Sequence, residues 1–431
     1  MGSPPVEPTT AFRHRRLEVF NEPPHPAYVV WELTLRCDQG CRHCGSRAGA
    51  PRPKELSVDE VVDVARQVVA LGAREVVLIG GEAYLHDGFL QVAETLTEAG
   101  VVCSLVTGGW GITQSLAAAM ASAGMKMASV SVDGLEQTHD LIRVPGSFTA
   151  ATRALERLRD ADLATGVNTN LNRLNRDDLE GLYEHLRDQG VRGWQVQITV
   201  PLGRAADRPD MLLQPWDLLD LLPRIAAIKR RAFDEGLLVM PGNNLGYFGP
   251  EEALLRSLTA DGRDHFCGCF AGRLVLGIQS DGAVKGCLSL PGDDYIGGNL
   301  RDQPLAEIWN QSPRLGFTRR LDVDQLWGFC RTCPFGETCL GGCSFAAHSV
   351  LGRPGNNPYC HYRARHFDQA GQRERLVLET HAGGAPMDHG CYRIVVEPRD
   401  APDPNAQVDR KALARKVHEP GEPVDPPQGC R

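Results

Sequence analysis

The sequence contains no run of about 18 apolar residues, which excludes a membrane-spanning helix of ordinary length. Its first residues, MGSPPVEPTT, lack the apolar stretch that a secretory signal needs, so export is not expected. Val6 stands where an N-myristoylation signal wants Ser or Thr. Long Lys/Arg blocks are also missing. The short basic runs RHRR at 13–16 and KRR at 229–231 read as solvated surface. A formal net charge of −8 then argues against a general nucleic-acid binder. The expectation is a cytoplasmic protein that touches neither nucleic acid nor membrane.

What is present is ordinary, apart from one residue type. The 431 residues are 42% hydrophobic and 23% charged, as in globular proteins, and suffice for two or three domains. Fourteen cysteines are not ordinary. In a reducing compartment clustered thiols point to metal or catalysis rather than to disulfides. Cys37, Cys41 and Cys44 form one group, and eight more lie between 267 and 360. Cys103, Cys391 and Cys430 stand singly and read as buried or incidental thiols.

From residue 28 the pattern alternates. YVVWELTL, EVVLIG, VVCSLVTGG, MASVSVDG, TGVNTNL and GWQVQITV have strand character, and a segment of helical period follows each. The first helical segment opens on a Ser57–Glu60 capping box and stops at Gly72. Six β–α units in succession imply a parallel sheet with right-handed crossovers. Six fall short of a closed eightfold barrel. The expected fold is therefore α/β, a partial (β/α)6 TIM-like barrel, with a doubly wound sheet as the alternative. In both, ligands sit at the C-terminal ends of the strands. After about residue 245 Gly, Pro and Cys rise and apolar runs shorten, as in a small domain organised by metal. The expected division is an N-terminal extension over 1–26, a core over 27–245, a cysteine-rich domain over 246–370 and a C-terminal extension over 371–431. That last segment reads as largely irregular, with CYRIVVEP able to form one strand.

Cys37, Cys41 and Cys44 follow the first strand and so occupy the first βα loop. A structural zinc site wants four ligands, and no fourth cysteine is near. His43 adjoins Cys44, which makes joint tetrahedral coordination awkward. A 4Fe–4S cube offers four irons, so three thiolates would leave one iron open. C-x3-C-x2-C at this place resembles the signature of radical S-adenosylmethionine enzymes, although His43 stands where that family usually has an aromatic residue. The resemblance implies that the amino and carboxylate groups of S-adenosylmethionine chelate the open iron. Reductive cleavage then yields a 5′-deoxyadenosyl radical that abstracts a hydrogen atom from the substrate. An electron donor such as flavodoxin or ferredoxin is implied with it.

Further residues match the family's pattern. Gly80, Gly81 and Glu82 follow the second strand, where the family binds the amino group of S-adenosylmethionine. Glycine lets backbone approach a ligand, and a carboxylate pairs with an ammonium. Ala83 replaces the proline common there. Ser131 and Asp133, at the end of the fourth strand, fall where the family uses polar residues for ribose hydroxyls or the methionine carboxylate. Arg143 can pair with a carboxylate. Asn168, or Asn170, would face the cofactor, and Ile198, or Val200, would pack on adenine.

The cysteine-rich segment reads Cys330-x2-Cys333-x5-Cys339-x3-Cys343, with Cys360 beyond and Cys269, Gly282 and Cys287 upstream. This resembles the SPASM domain of peptide-modifying radical enzymes. The resemblance implies two auxiliary 4Fe–4S clusters. One would use Cys330, Cys333, Cys339 and Cys360. The other would use Cys287 and Cys343 with Cys267 and Cys269. One or two zinc sites on the same thiols are the competing assignment.

The implied activity is oxidative modification or cross-linking of a peptide, as in maturation of peptide natural products or peptide-derived cofactors. Oxidation or decarboxylation of a small molecule or tetrapyrrole side chain is the alternative. A non-catalytic iron–sulfur carrier or zinc scaffold is a third reading. About 26 residues precede the first strand, too few for a fused leader-binding domain, so a peptide is expected to need a separate carrier protein or a direct grip on the barrel. No acid or base stands out; Tyr247, His265, Asp281 and Tyr359 are candidates by polarity alone.

Overall fold

The computed structural model describes residues 21–404; Cys430 and the 13–16 basic run lie outside them. Seven parallel strands cross one sheet in sequence order: β1 (Tyr28–Thr34), β2 (Glu75–Gly80), β3 (Val102–Thr107), β4 (Met127–Ser131), β5 (Ala164–Leu171), β6 (Gly193–Ile198) and β7 (Leu238–Pro241). The crossovers carry α1 (Val58–Ala70), α2 (Phe89–Glu98), α3 (Gln114–Ser122), α4 (Glu136–Ile142), α5 (Ser147–Asp160), α6 (Leu179–Asp188) and α7 (Leu218–Asp234). The first six strands are those expected. β7 escapes sequence reading because LVMP is too short to display an alternation.

Helix α1 shows how local sequence sets an element. The Ser57 hydroxyl accepts from Glu60 N–H while the Glu60 carboxylate accepts from Ser57 N–H, so two otherwise orphaned donors are satisfied. Val61, Val64 and Val68 recur at helical spacing and are buried in the main hydrophobic core. On β1, Val29, Trp31 and Leu33 enter that core while Glu32 and Thr34 point to the opposite face. That second face leads to the cavity described below.

The sheet also grows from the other edge of β1. β8 (Val275–Ile278) pairs with β1 in parallel, and β9 (Ala283–Lys285) and β10 (Ile296–Asn299) add antiparallel strands. The strand that feeds the first cysteine group is thus hydrogen-bonded to one that leads toward Cys287. Beyond β7 the helices are short: α8 (Glu252–Arg256), α9 (Leu305–Gln311), α10 (Gly336–Cys339), α11 (Ser344–Leu351) and α12 (His361–Gln369).

Residues 372–398 depart from the irregular chain expected over 371–431, of which 405–431 lie outside the described residues. β11 (Gln372–Thr380) and β12 (Cys391–Pro398) form an antiparallel hairpin. CYRIVVEP is β12. QRERLVLET is hidden in the sequence by its charges, which the fold satisfies across the strands: Glu397 accepts from Arg373 at 2.9 Å and from Arg375 at 2.8 Å. Cys103 is buried, as expected, whereas Cys391 is disulfide-bonded. Among the described residues no helix is long and apolar enough to cross a membrane.

Candidate active site

The loop after β1 is tied down on all sides. Cys37 N–H donates to Gly49 O at 3.1 Å, and Arg42 N–H to Ile142 O at 2.9 Å. Arg204 reaches in from the turn after β6 and donates to Cys41 O at 2.7 Å and Ala48 O at 3.1 Å. These contacts bring Cys37, Cys41 and Cys44 to the wall of one cavity of about 330 Å³ at the strand ends. Burial pushes the Cys37 thiol up to about 12 and the Cys41 thiol up to about 11. Left bare, such thiols keep their protons. Three thiolates on the wall of one cavity need a compensating metal centre, and the donor set fits a cluster gripped at three corners.

Two glycines make room beside this loop. Gly80 has φ 151°, and a Cβ on it would lie 2.1 Å from Thr34 O. A Cβ on Gly81 would lie 2.1 Å from Arg36 O. The close approach places Glu82 beside the cysteines: ligand atoms of Cys37, Asp38 and Glu82 all lie within 4.8 Å of one another. The Glu82 carboxylate is 2% exposed and accepts from Thr107 Oγ1 at 2.5 Å and Gly108 N–H at 2.7 Å. Burial raises it to about 7, against the lowering effect of those two donors. A carboxylate held rigid in a dry site can pair with an ammonium group.

Gly80, Gly81, Glu82, Ser131, Arg143 and Ile198 all line the cavity, as does Val200. Two expected residues do not. Asn168 sits one strand repeat below the rim, and Asn170 lines the cavity instead. Asp133 lies behind the wall, fully buried. It accepts from Arg143 Nε at 2.6 Å and Asn170 N–H at 2.7 Å, and its carboxylate lies 3.2 Å from His43 Nε2. Burial opposes its ionisation, yet Arg143 and His43 hold it well below the usual carboxylate range. Arg143 is thereby committed to Asp133, and its Nη1 lies 3.6 Å from Cys41 Sγ. The pair braces the cysteine loop from beneath.

Other lining residues give no sequence signal. Gln39, Gln197, Asn244, Leu288, Ser289, Phe345 and Met387 come from six separate segments. The Met387 loop of the C-terminal hairpin docks directly on the cysteine loop: Met387 N–H donates to Gly45 O at 3.0 Å. Tyr247, His265, Asp281 and Tyr359 are absent from the lining. Tyr247 donates to Asn243 O at 2.6 Å, and Tyr359 to Leu213 O at 2.9 Å, as packed tyrosines do.

The remaining cysteines separate into groups. Cys330, Cys333, Cys339 and Cys360 surround a small pocket walled by Tyr247, Phe248, Phe329 and Phe335. Burial raises all four thiols, and their neighbours in the group raise Cys333, Cys339 and Cys360 further. Cys269, Cys287 and Cys343 form the other group: Cys343 is raised by burial and then by Cys269 and Cys287. Cys267 is buried two residues upstream of Cys269. Both donor sets are thiol-rich and fit iron–sulfur clusters.

Two family models match the chain: Radical SAM superfamily over residues 31–186, and SPASM, an iron-sulfur cluster-binding domain, over 267–334. Mycofactocin maturase MftC of Mycolicibacterium smegmatis is 30% identical over 354 residues, covering 78% of this chain and 82% of that protein. The AdoMet-dependent heme synthase of Methanosarcina barkeri is 28% identical over 350 residues, covering 78% of this chain and 97% of that protein. Streptococcus suis SuiB bound to S-adenosylmethionine shares the fold, with a TM-score of 0.60 at 15% identity over 77% of this chain and 76% of that one. The chain therefore belongs to the radical SAM superfamily and carries a C-terminal SPASM domain; it is an enzyme whose cofactors are S-adenosylmethionine, the 4Fe–4S cluster that binds it and auxiliary iron–sulfur clusters.

Proposed function

We propose that this radical SAM/SPASM enzyme abstracts hydrogen from a peptide and leaves it oxidatively modified or cross-linked. The charge of the cavity carries the peptide reading. Glu82 lines it, Glu32 does so bound to Arg52, no lysine among the described residues does, and its one guanidinium, Arg143, is already bound to Asp133. A tetrapyrrole bearing several carboxylates would need free cations there. A peptide backbone needs neutral hydrogen-bonding groups, which Gln39, Ser131, Gln197 and Ser289 offer. The buried Gln39 Nε2 has no partner among the described residues, as befits a donor awaiting a ligand. Similarity to the heme synthase supports the second reading, chemistry on a tetrapyrrole side chain, but the cavity's charge weighs against it.

When bound, the cluster and S-adenosylmethionine supply the radical that takes the hydrogen atom. In this proposal Cys37, Cys41 and Cys44 hold that cluster. Gly80, Gly81 and Glu82 receive the ammonium group, and Ser131, Asn170 and Ile198 contact the rest of the cofactor. Arg143 and Asp133 fix the loop rather than touch ligand. Cys330, Cys333, Cys339 and Cys360 hold one auxiliary cluster; Cys269, Cys287, Cys343 and Cys267 hold the other. A cytoplasmic flavodoxin or ferredoxin supplies electrons, and a separate carrier protein presents the peptide.

Anaerobic reconstitution followed by mass spectrometry tests the proposal. S-adenosylmethionine should be cleaved reductively, and replacing Cys37, Cys41 and Cys44 by Ala should abolish this. Candidate precursor peptides, encoded beside the gene, should lose hydrogen mass. Turnover of Fe-coproporphyrin III with no change in any peptide would overturn the peptide reading.

A further inference from the structure

The two groups of auxiliary cysteines sit beside buried cations of different kinds. Arg363 interacts electrostatically with the thiols of Cys330, Cys333 and Cys360. It is 2% exposed and neutralised where it stands: Nε and Nη2 donate to the Glu374 carboxylate at 2.5 and 2.7 Å. Its Nη1 donates to Asn356 Oδ1 at 2.6 Å. This group therefore faces a neutral pair.

Lys285 closes β9 two residues before Cys287 and interacts electrostatically with that thiol. It is 1% exposed, so its ammonium is out of water. Nζ donates to Leu290 O at 3.1 Å and Gly292 O at 2.7 Å, both uncharged carbonyls. Glu32, Asp293 and Arg52 act on it only at longer range. Among the described residues Lys285 has no carboxylate in ion-pair contact. The ammonium beside Cys269, Cys287 and Cys343 thus meets only carbonyls, whereas the guanidinium beside the other group is paired with a carboxylate.

One-electron reduction of an iron–sulfur cluster adds one negative charge, and a nearby desolvated cation stabilises that state. We propose that Lys285 raises the reduction potential of the cluster held by Cys269, Cys287 and Cys343, which makes it the first auxiliary group to accept an electron. The inference rests on the cluster ligation proposed above. Placement agrees with it: Leu288 and Ser289, which follow Cys287, and Phe345, which follows Cys343, line the main cavity, and none of Cys330, Cys333, Cys339 and Cys360 does. Lys285 acts through the cluster and is a positioning residue, not a catalytic one.

The test is an anaerobic dithionite titration of the reconstituted holoenzyme, followed by electron paramagnetic resonance. The wave of this group is the one missing from Cys287→Ala. Lys285→Gln keeps a donor for the two carbonyls and removes the charge. At the wild-type midpoint it should lower the reduced-to-oxidised ratio of that wave at least tenfold, about 59 mV for one electron. Lys285→Arg should keep the wild-type midpoint, and the other waves should stay in place. An unmoved wave in Lys285→Gln, or equal shifts in Gln and Arg, overturns the proposal. Loss of this group's iron in both variants overturns it too, since the side chain would then serve folding. The titration uses no substrate, so failure of the peptide reading would show instead as cofactor cleavage without any peptide product.

Discussion

Gly81→Ala tests the placement of the cysteine loop against the cofactor side of the cavity. The added methyl would lie 2.1 Å from Arg36 O, 2.6 Å from Arg36 C and 2.7 Å from Leu35 O. Ordinary contact begins at 3.4 Å, so the two segments must part by about 1.3 Å. The obstacle is backbone, not the free end of a side chain. Arg36 O also accepts from Glu82 N–H at 2.8 Å, and the next residue is Cys37. Either Cys37 moves or Glu82 does, and their close spacing is lost. Overpacking of this kind costs about 1–3 kcal/mol in a yielding core, and backbone yields less. Misplacement by about 1 Å can lower turnover roughly 100-fold. Gly81 is not in the left-handed region, so the effect is steric alone. The variant should retain the auxiliary clusters, about eight of roughly twelve irons, while reductive cleavage of S-adenosylmethionine falls about 100-fold. Gly49→Ala is the control, because a Cβ there meets nothing within 4 Å. Wild-type cleavage by Gly81→Ala under the same assay would show that the glycine does not set the site.

Other outcomes follow from single contacts. Glu82→Gln removes the buried charge but not the shape, and should weaken S-adenosylmethionine binding by about 10- to 100-fold in anaerobic equilibrium dialysis, the value of a charge-assisted hydrogen bond; unchanged affinity would take the ammonium away from Glu82. Arg363→Met or Glu374→Leu alone should destabilise the holoenzyme by about 3–5 kcal/mol, because each strands a buried charge, and the double variant should recover part of the loss in denaturant unfolding. Burial, helped by Arg256, lowers Lys229 from 10.5 to about 8. The unfolded chain then holds that proton more tightly, so wild type should gain on Lys229→Met as pH rises from about 8 to 10.5, by up to about 3 kcal/mol. A stability difference between the two that is flat across this window would mean that Lys229 is not desolvated.

Much of the candidate site is legible in the sequence because its expected ligands are local. Cys37, Cys41 and Cys44 lie on one short loop, and no fold can carry them far apart. Gly80, Gly81 and Glu82 are equally local, and the first six strands announce themselves through apolar runs bounded by Gly. Strand-end side chains are harder. Ser131 and Asp133 share a strand face by period, but the chain leaves β4 at Ser131, and Asp133 turns under the loop to meet Arg143 and His43. Asn168 and Asn170 share a face too, and only the depth of the cavity chooses between them.

The sequence alone determined which thiols, glycines and acid could meet a cluster and its cofactor, and the α/β core that bears them, because short-range spacing and periodicity need no knowledge of distant contacts. Tertiary structure alone decided that β8 seats the Cys287 segment against β1, that the C-terminal hairpin brings Met387 to the cysteine loop, and that Arg363 pairs with a carboxylate while Lys285 meets only carbonyls. Those facts depend on pairings between residues far apart in the chain, whose electrostatics is strong only once packing has removed the water between them.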